Sequence, residues 1–451
     1  SNRLDMLSYQ KLQGGCSKAA SKLLTQEQLL MLRFPSPNKK LVCQLRSIVV
    51  APADSGNLGD EAMMFGALYL LRRSQITLVN DSGCTGWKSR LIASPYANKI
   101  VGDAPGPLIN ETPSISSCDL ILFVGADLID GTCGSEAALK RLDYARRALK
   151  LGCRVIIACS FRLGVTRAII RQLRELRGVE FWLRDGVSMQ NFKRQIGLPA
   201  TQVPDLSFYY DAEISTPLTT WRASGTSDAP VIALNLSEQS FQSFYDARTD
   251  ANRRHYVGRV VEQLAQEFPK ASFLLLSNDN RSWPNHPSDD SYNELLRSAI
   301  VARYGTETLV TQNSHHDYGE NIRALASANL LITGRMHLCL AAIRANCPPL
   351  ILMGRDCKYS SYDKMRGMLL DTLNDNSNVL TKVELLGALA NAVLHDIKEN
   401  RRTLKESADA RKTGLVVFDK KVCAELKWLA RRKWLFSILK TLQNRLRRKR
   451  P

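Results

Sequence analysis

The segment NLLITGRMHLCLAAIRANCPPLILM at 329–353 brings an arginine and a histidine to a place suited to chemistry. An apolar run ends at Thr333, Gly334 supplies a turn, and a helix is expected to begin near Arg335. The first turn of a helix offers backbone N–H groups without intrahelical partners and the positive end of the helix dipole, so it attracts anions before any side chain is counted. Arg335 adds a planar fork of donors matched to phosphate or carboxylate. Met336 separates it from His337, whose imidazole exchanges a proton near neutral pH. A purely structural reading has Arg335 capping a carbonyl and His337 filling a polar corner. The order of buried strand, glycine, Arg-x-His and small apolar helix favours the functional one.

Three further segments fall at ends of expected strands. In DSGNLGDEAM at 54–63, Gly56 and Gly59 allow close backbone approach, Asn57 lies between them, and Asp60 is expected to cap the following helix. Its glycine spacing is neither the dinucleotide fingerprint nor a Walker loop. In LRDGVS at 183–188, Arg184 is a second cation for a cleft, or else pairs with Asp185 to hold a turn. In VPDLSF at 203–208, Asp205 reads mainly as a turn former. Lys358, after the apolar run 349–353, is placed to reach the same anion site. His315 and His316 have no spaced partners and do not read as metal ligands.

Strands alternating with helices must position these residues. Expected strands are 46–51, 76–79, 119–125, 154–160 and 179–185, with helices at 60–73, 135–151, 164–177 and 186–196. Continuous apolar runs such as DLILFVG suit strands buried on both faces of a parallel sheet. Residues 81–118, rich in turn formers, give no clear element. A second series has strands at 231–237, 272–277, 307–311, 329–333 and 349–353, and helices near 250–267, 290–303, 317–327, 335–346 and 360–373, then 382–400 and 403–415. The expectation is an N-terminal extension (1–40) with a helix at 18–33, a Rossmann-like lobe at 41–211, a linker at 212–229, a second Rossmann-like lobe at 230–380, a helical closure at 381–418 and a basic tail at 419–451. Two parallel-sheet lobes leave a cleft at the carboxyl ends of their strands, where ligands bind in open α/β folds.

Composition excludes other classes. The chain has 451 residues, 44% hydrophobic and 23% charged, the balance of a globular protein. No run reaches the length of a transmembrane helix, and SNRLDMLSYQ has no signal-peptide core. Eleven single cysteines without a CxxC pair are expected to be reduced thiols in a cytoplasmic protein. The net charge is +19, but residues 420–451 hold twelve Lys/Arg against Glu425 alone, so the excess sits in a tail rather than a nucleic-acid groove. That tail reads as a basic amphipathic helix, with Trp428, Trp434, Arg431 and Arg432 facing an anionic membrane surface. The bland reading is a helix packed on the protein.

Taken in order, GNLGD at 56–60, LRDGVS at 183–188, PDLSF at 204–208, ITGRMHLCLAA at 332–342 and then PPLIL with Lys358 resemble the polysaccharide pyruvyl transferase family. One departure stands out: the family's glycine cluster after strand 120–124 is here Gly125-Ala126-Asp127. The resemblance implies a two-lobed fold like the GT-B glycosyltransferases. It implies transfer of the carboxyethylidene group of phosphoenolpyruvate onto two hydroxyls of a sugar in a polysaccharide or lipid-linked oligosaccharide, with release of phosphate. Arg335, Gly334, Met336, Arg184 and Lys358 are then expected on the donor side, His337 as general acid and Asp60 as the group that orients or deprotonates the acceptor. Gly56, Asn57, Gly59, Gly125, Asp185 and Asp205 would line the acceptor side or its loops. No cofactor, metal or nucleic acid is called for, and the expected location is the cytoplasmic face of the membrane. A nucleotide-sugar glycosyltransferase and a non-catalytic glycan- or membrane-binding protein of the same fold are the alternatives.

Overall fold

The computed structural model describes residues 45–51, 56–80, 100–105, 118–125, 127–132, 134–210, 229–237, 249–281, 287–305, 310–312, 317–353, 361–373, 379–380 and 385–448. The expected helix at 18–33, the linker up to 228, His315, His316 and Lys358 lie outside them. Residues 43–429 form one compact unit, and the described residues from 430 onward fall outside it.

The first lobe runs β1 (Arg46–Val50), α1 (Leu58–Leu71), β2 (Gln75–Asn80), β3 (Ile100–Pro105), β4 (Leu120–Val124), α2 (Ser135–Lys150), β5 (Arg154–Cys159), α3 (Arg167–Glu175), β6 (Val179–Leu183), α4 (Gly186–Gln195), β7 (Ala200–Gln202) and a 3-10 turn (Leu206–Tyr209). Its seven strands lie in the order β3-β2-β1-β4-β5-β6-β7, all parallel. The second lobe runs β8 (Val231–Asn235), α5 (Asp250–Glu267), β9 (Ser272–Leu275), α6 (Asp289–Tyr304), β10 (Val310–Gln312), α7 (Tyr318–Ala326), β11 (Leu330–Thr333), α8 (Met336–Arg344), β12 (Pro349–Leu352), α9 (Ser361–Leu373), β13 (Val379–Leu380) and α10 (Leu386–His395). Its six parallel strands lie in the order β10-β9-β8-β11-β12-β13. In both sheets the strand order reverses beside the first strand, between β1 and β4 and between β8 and β11. Such switch points open a crevice beyond the carboxyl ends of the strands.

Strands and helices expected from apolar runs are present, with one correction. The separate helices expected at 403–415 and in the tail are one helix, α11 (Ile397–Arg448). The segment holds no proline, and its one glycine, Gly414, costs about 1 kcal/mol without breaking a helix. Helix α11 begins against the second lobe, where the Arg401 guanidinium donates to the Ala328 carbonyl at 3.0 Å. It continues onto the first lobe. Arg72 makes a bidentate pair with Asp419 (2.9 and 3.0 Å), the Tyr209 hydroxyl donates to the Leu415 carbonyl, and Phe418 meets Trp182 edge-on at 4.7 Å. The cysteines described, Cys118, Cys153, Cys159, Cys339, Cys347 and Cys423, carry free thiols.

The lobes share a core through α1. Leu58 and Ala62, at its start, pack among Leu274, Leu276, Tyr318, Ile322 and Leu338 of the second lobe. The helix is buried on nearly every face, so it lacks the polar stripe of a surface helix. Gly66 lets it lie on the 3-10 turn, since a Cβ there would stand 2.0 Å from the Leu206 carbonyl oxygen.

Candidate active site

The two switch points face each other, and the N-termini of α1 and α8 meet between them. Asn57 is the N-cap of α1; its side chain accepts from the N–H groups of Gly59 and Asp60 at 3.0 and 3.2 Å. Asp60 is therefore not the cap that its position suggests. It lies within the first turn, nearly buried, where a carboxylate is stabilised by the helix dipole. The loop ahead of α1 is stitched to the second lobe: Leu58 N–H donates to Asn278 O, Asn280 N–H donates to Gly56 O, both at 2.8 Å, and Asn57 bridges Asp279. Gly56 has φ +107°, and a Cβ there would fall 2.9 Å from Arg281 Cγ. Both glycines of this loop are accounted for by contacts across the cleft. At Gly59 a Cβ would lie 2.0 Å from Nδ1 of His337, so the imidazole lies directly on the α1 backbone.

Arg335 stands at the N-cap position of α8 and makes no cap with its side chain. Its Nε and Nη2 both reach Asp289 Oδ1, at 3.1 and 2.6 Å, while Nη1 is 3.6 Å from Asp279. The fork expected to be open to an anion is thus committed to a carboxylate on one edge. Asp289 is fully buried and accepts in addition from Asn235 Nδ2 (2.9 Å) and from the N–H groups of Asn278 and Asp279 (both 3.0 Å). Thr333 links the same network to the strand end: its hydroxyl donates to Asn235 Oδ1 and accepts from Arg335 N–H. Asp279 is gripped by Arg281 through two 2.7 Å contacts. Burial works against charge on Asp279, but Arg281 and Arg335 more than offset it and hold the carboxyl below its ordinary value.

Across the cleft, Arg184 is buried and does not pair with Asp185. Its Nη1 donates to Asp205 at 3.0 Å and its Nη2 to the Ser160 hydroxyl at 2.8 Å. Ser160 in turn donates to Asp127 at 3.4 Å, the residue that stands where the family pattern has a glycine. Asp205, expected mainly as a turn former, does cap the 3-10 turn by accepting from Ser207 N–H, and it also lies 3.8 Å from Nε2 of His337. Asp185 caps α4, accepting from the N–H and hydroxyl of Ser188. Gly125 closes β4, with its N–H on Ala158 O. Gly334 joins β11 to α8, and Met336 begins that helix, buried.

Comparison with known proteins fits this geometry. The family model for polysaccharide pyruvyl transferase matches residues 57–354. The chain belongs to the polysaccharide pyruvyl transferase family. It is therefore an enzyme of pyruvyl transfer to polysaccharide, and the matched span holds every site residue just described except Gly56, which immediately precedes it. No curated protein shows significant similarity. Among solved structures, a putative UDP-N-acetylglucosamine 2-epimerase from Listeria monocytogenes aligns with TM-score 0.52 at 13% identity, covering 80% of this chain and 90% of that one. HepE from Anabaena in complex with UDP aligns with TM-score 0.53 at 12% identity over 85% and 99%. UGT73P12 from Glycyrrhiza uralensis, complexed with glycyrrhetinic acid 3-O-monoglucuronide, gives 0.56 at 10% over 89% and 99%. At these identities the likeness is one of fold: two parallel-sheet lobes of the GT-B kind.

The family motifs thus converge, apart from Lys358, which lies outside the described residues. Sequence reading missed Asp289, Asp279, Arg281, Asn235 and Ser160. Asn235 and Ser160 close buried strands, and Asp289 opens a helix, so their positions were visible. Nothing in the sequence marks them as partners of Arg335 and Arg184.

Proposed function

We propose that this enzyme transfers the carboxyethylidene group of phosphoenolpyruvate onto two hydroxyls of a sugar, forming a cyclic ketal and releasing phosphate. The observation carrying this reading is the meeting of two helix N-termini at the His337 imidazole, with Arg184 joined to it through Asp205 and Arg335 at the cap of the same helix. The donor has a phosphate and a carboxylate, and helix N-termini with guanidinium groups suit both. The Nη1 edge of Arg335 faces the donor, which takes over the place of Asp279. His337 delivers a proton to the methylene carbon, leaving an electron-poor centre at the carbon bearing oxygen. One sugar hydroxyl adds there and loses its proton to Asp60. The carbon–oxygen bond to phosphate then breaks, the second hydroxyl forms the new bond that closes the ketal and its proton leaves with the phosphate, and solvent returns the proton on Asp60 to His337. Arginines and N–H groups neutralise the leaving phosphate, so the scheme uses no metal or cofactor.

Incubation with phosphoenolpyruvate and a panel of lipid-linked or synthetic glycosides tests this. The expected result is a product heavier by one pyruvyl ketal, with equimolar phosphate. Thermal stabilisation by a UDP- or GDP-sugar and none by phosphoenolpyruvate would overturn it. His337→Ala is expected to reduce turnover by about 10²–10⁴-fold, the usual worth of a positioned proton donor.

A lipid-linked acceptor would be presented at a membrane surface, and α11 ends in a basic segment suited to that. No helix among the described residues is long and apolar enough to cross a membrane. Trp428 is 40% exposed and Arg432 is exposed, as an interfacial contact requires. Trp434 shares that helix, and Arg431 is half-buried. Co-sedimentation with vesicles containing anionic lipid is expected for the full chain and should weaken with salt and on truncation after 429. Equal sedimentation of the truncated chain would remove the membrane role.

A further inference from the structure

One buried carboxylate touches both halves of the site. We infer that Asp205 is a positioning residue that keeps the His337 imidazole in its protonated, proton-donating state and at the same time fixes Arg184. The geometry is direct. Asp205 Oδ2 lies 3.0 Å from Arg184 Nη1 and 3.8 Å from His337 Nε2, and Oδ1 accepts from Ser207 N–H at 2.9 Å. Only 4% of Asp205 is exposed and 7% of His337, so little water screens the pair. The distance to His337 is an ion-pair distance across the lobe boundary, since Asp205 belongs to the first lobe and His337 to the second.

The remaining groups around His337 are disposed to leave Asp205 in control. Tyr318 of α7 spends its hydroxyl on the His337 carbonyl at 3.0 Å. Arg335, on the same helix, has its charge matched by Asp289 and Asp279. Asp60 and Glu61, in the first turn of α1, lie beside Gly59 and sit at the positive end of that helix. Burial alone would raise the Asp205 carboxyl, but His337 and Arg184 outweigh it and hold the carboxyl at about 2. Asp205 therefore stays ionised wherever the enzyme works, and its charge is constant while that of His337 varies. An opposite charge at this range raises the affinity of an imidazole for its proton.

The same carboxylate explains how an enzyme can present a cation and a proton donor to one anionic substrate without the two repelling each other apart. Arg184 and a protonated His337 are like charges, and Asp205 stands between them. From Arg184 the chain continues through Ser160 to Asp127, so a movement on the acceptor-side loop reaches His337 through named contacts.

The test is an NMR titration of the His337 ring in the full chain without substrate, assigned by difference from His337→Gln. In Asp205→Asn the midpoint is expected to fall by about one to three pH units. Because Asp205→Asn leaves Arg184 buried beside a neutral partner, Arg184→Gln/Asp205→Asn is titrated as well, with both charges removed together. The acidic partner's loss should move the pH limb of kcat/KM assigned to the protonated His337 in the same direction. An unchanged ring midpoint in folded Asp205→Asn, with no difference between Arg184→Gln and Arg184→Gln/Asp205→Asn, would overturn the inference. The role in turnover rests on the proposed reaction, but the titration does not. A shifted midpoint in an enzyme that never turns over phosphoenolpyruvate would leave Asp205 in place and sink the reaction.

Discussion

Asp289→Ala is expected to cost about 3–5 kcal/mol of stability, the loss typical when one partner of a buried ion pair is removed. No part of Asp289 reaches solvent, and it accepts five hydrogen bonds: two from Arg335, one from Asn235 and two from the backbone at 278 and 279. Alanine leaves the Arg335 guanidinium with only its 3.6 Å approach to Asp279 and takes the acceptor from three N–H donors, and each unmet buried donor carries its desolvation penalty. Those donors lie on the loop whose other edge bonds to residues 56–58, so the crossing between lobes weakens with them. A folded domain holds only about 5–15 kcal/mol, so a urea midpoint should drop by a large fraction. Asp289→Asn separates stability from chemistry. It keeps the shape and an acceptor oxygen but puts an N–H₂ against one set of donors. It should unfold at higher urea than the alanine variant while losing turnover comparably, because Arg335 is no longer held by a charge. An alanine variant as stable as the parent would show that Arg335 and the backbone donors have other partners.

This network also marks what the sequence could and could not disclose. Strands such as LILFV at 120–124 and LLIT at 330–333 are central in their sheets, covered on both faces, and their apolar runs announce them. Strands missed or displaced in the sequence reading are edge strands. IVGDAP at 100–105 carries a glycine and a proline, ATQ at 200–202 is largely exposed, and β13 has two residues. An edge strand has fewer neighbours to bury against and tolerates proline, so its residues need not be apolar. In the site, the residues at strand ends and helix starts were legible because a turn from strand to helix leaves a local imprint. Their partners were not. Arg184 follows Leu183 and precedes Asp185, and the sequence invites a pairing between neighbours. The actual partner, Asp205, is twenty-one residues away because Asp185 is occupied capping α4. Arg335 meets Asp289, forty-six residues earlier, because β8, β9 and β11 are neighbours in the sheet.

Gly59→Ala should be strongly damaging, a single methyl group placed against the site itself. Helix propensity alone would favour alanine over glycine, though less in this first turn than in a helix interior. The contact across the cleft points the other way. The added Cβ would lie 2.0, 2.2 and 2.5 Å from Nδ1, Cγ and Cβ of His337, far inside van der Waals contact. The ring has little room to give way. Its carbonyl is tied to Tyr318, Asp205 lies at Nε2, and the helix below it is packed on Leu58 and Ala62 through Leu338. Either the imidazole swings away from its site or α1 lifts out of the second lobe's core. The first outcome removes the proton donor and matches His337→Ala in activity; the second adds a loss of about 1–3 kcal/mol, as overpacking does. The clash makes a further prediction that propensity does not. Truncating the ring removes the Nδ1 and Cγ contacts and leaves only the 2.5 Å approach of the two Cβ atoms, so Gly59→Ala/His337→Ala should be more stable than the sum of the two single substitutions predicts. A double-mutant cycle in urea reads that coupling directly. Strict additivity of the two substitutions would mean that Gly59 and His337 do not touch, and with that the meeting of the two helix N-termini would lose its physical basis.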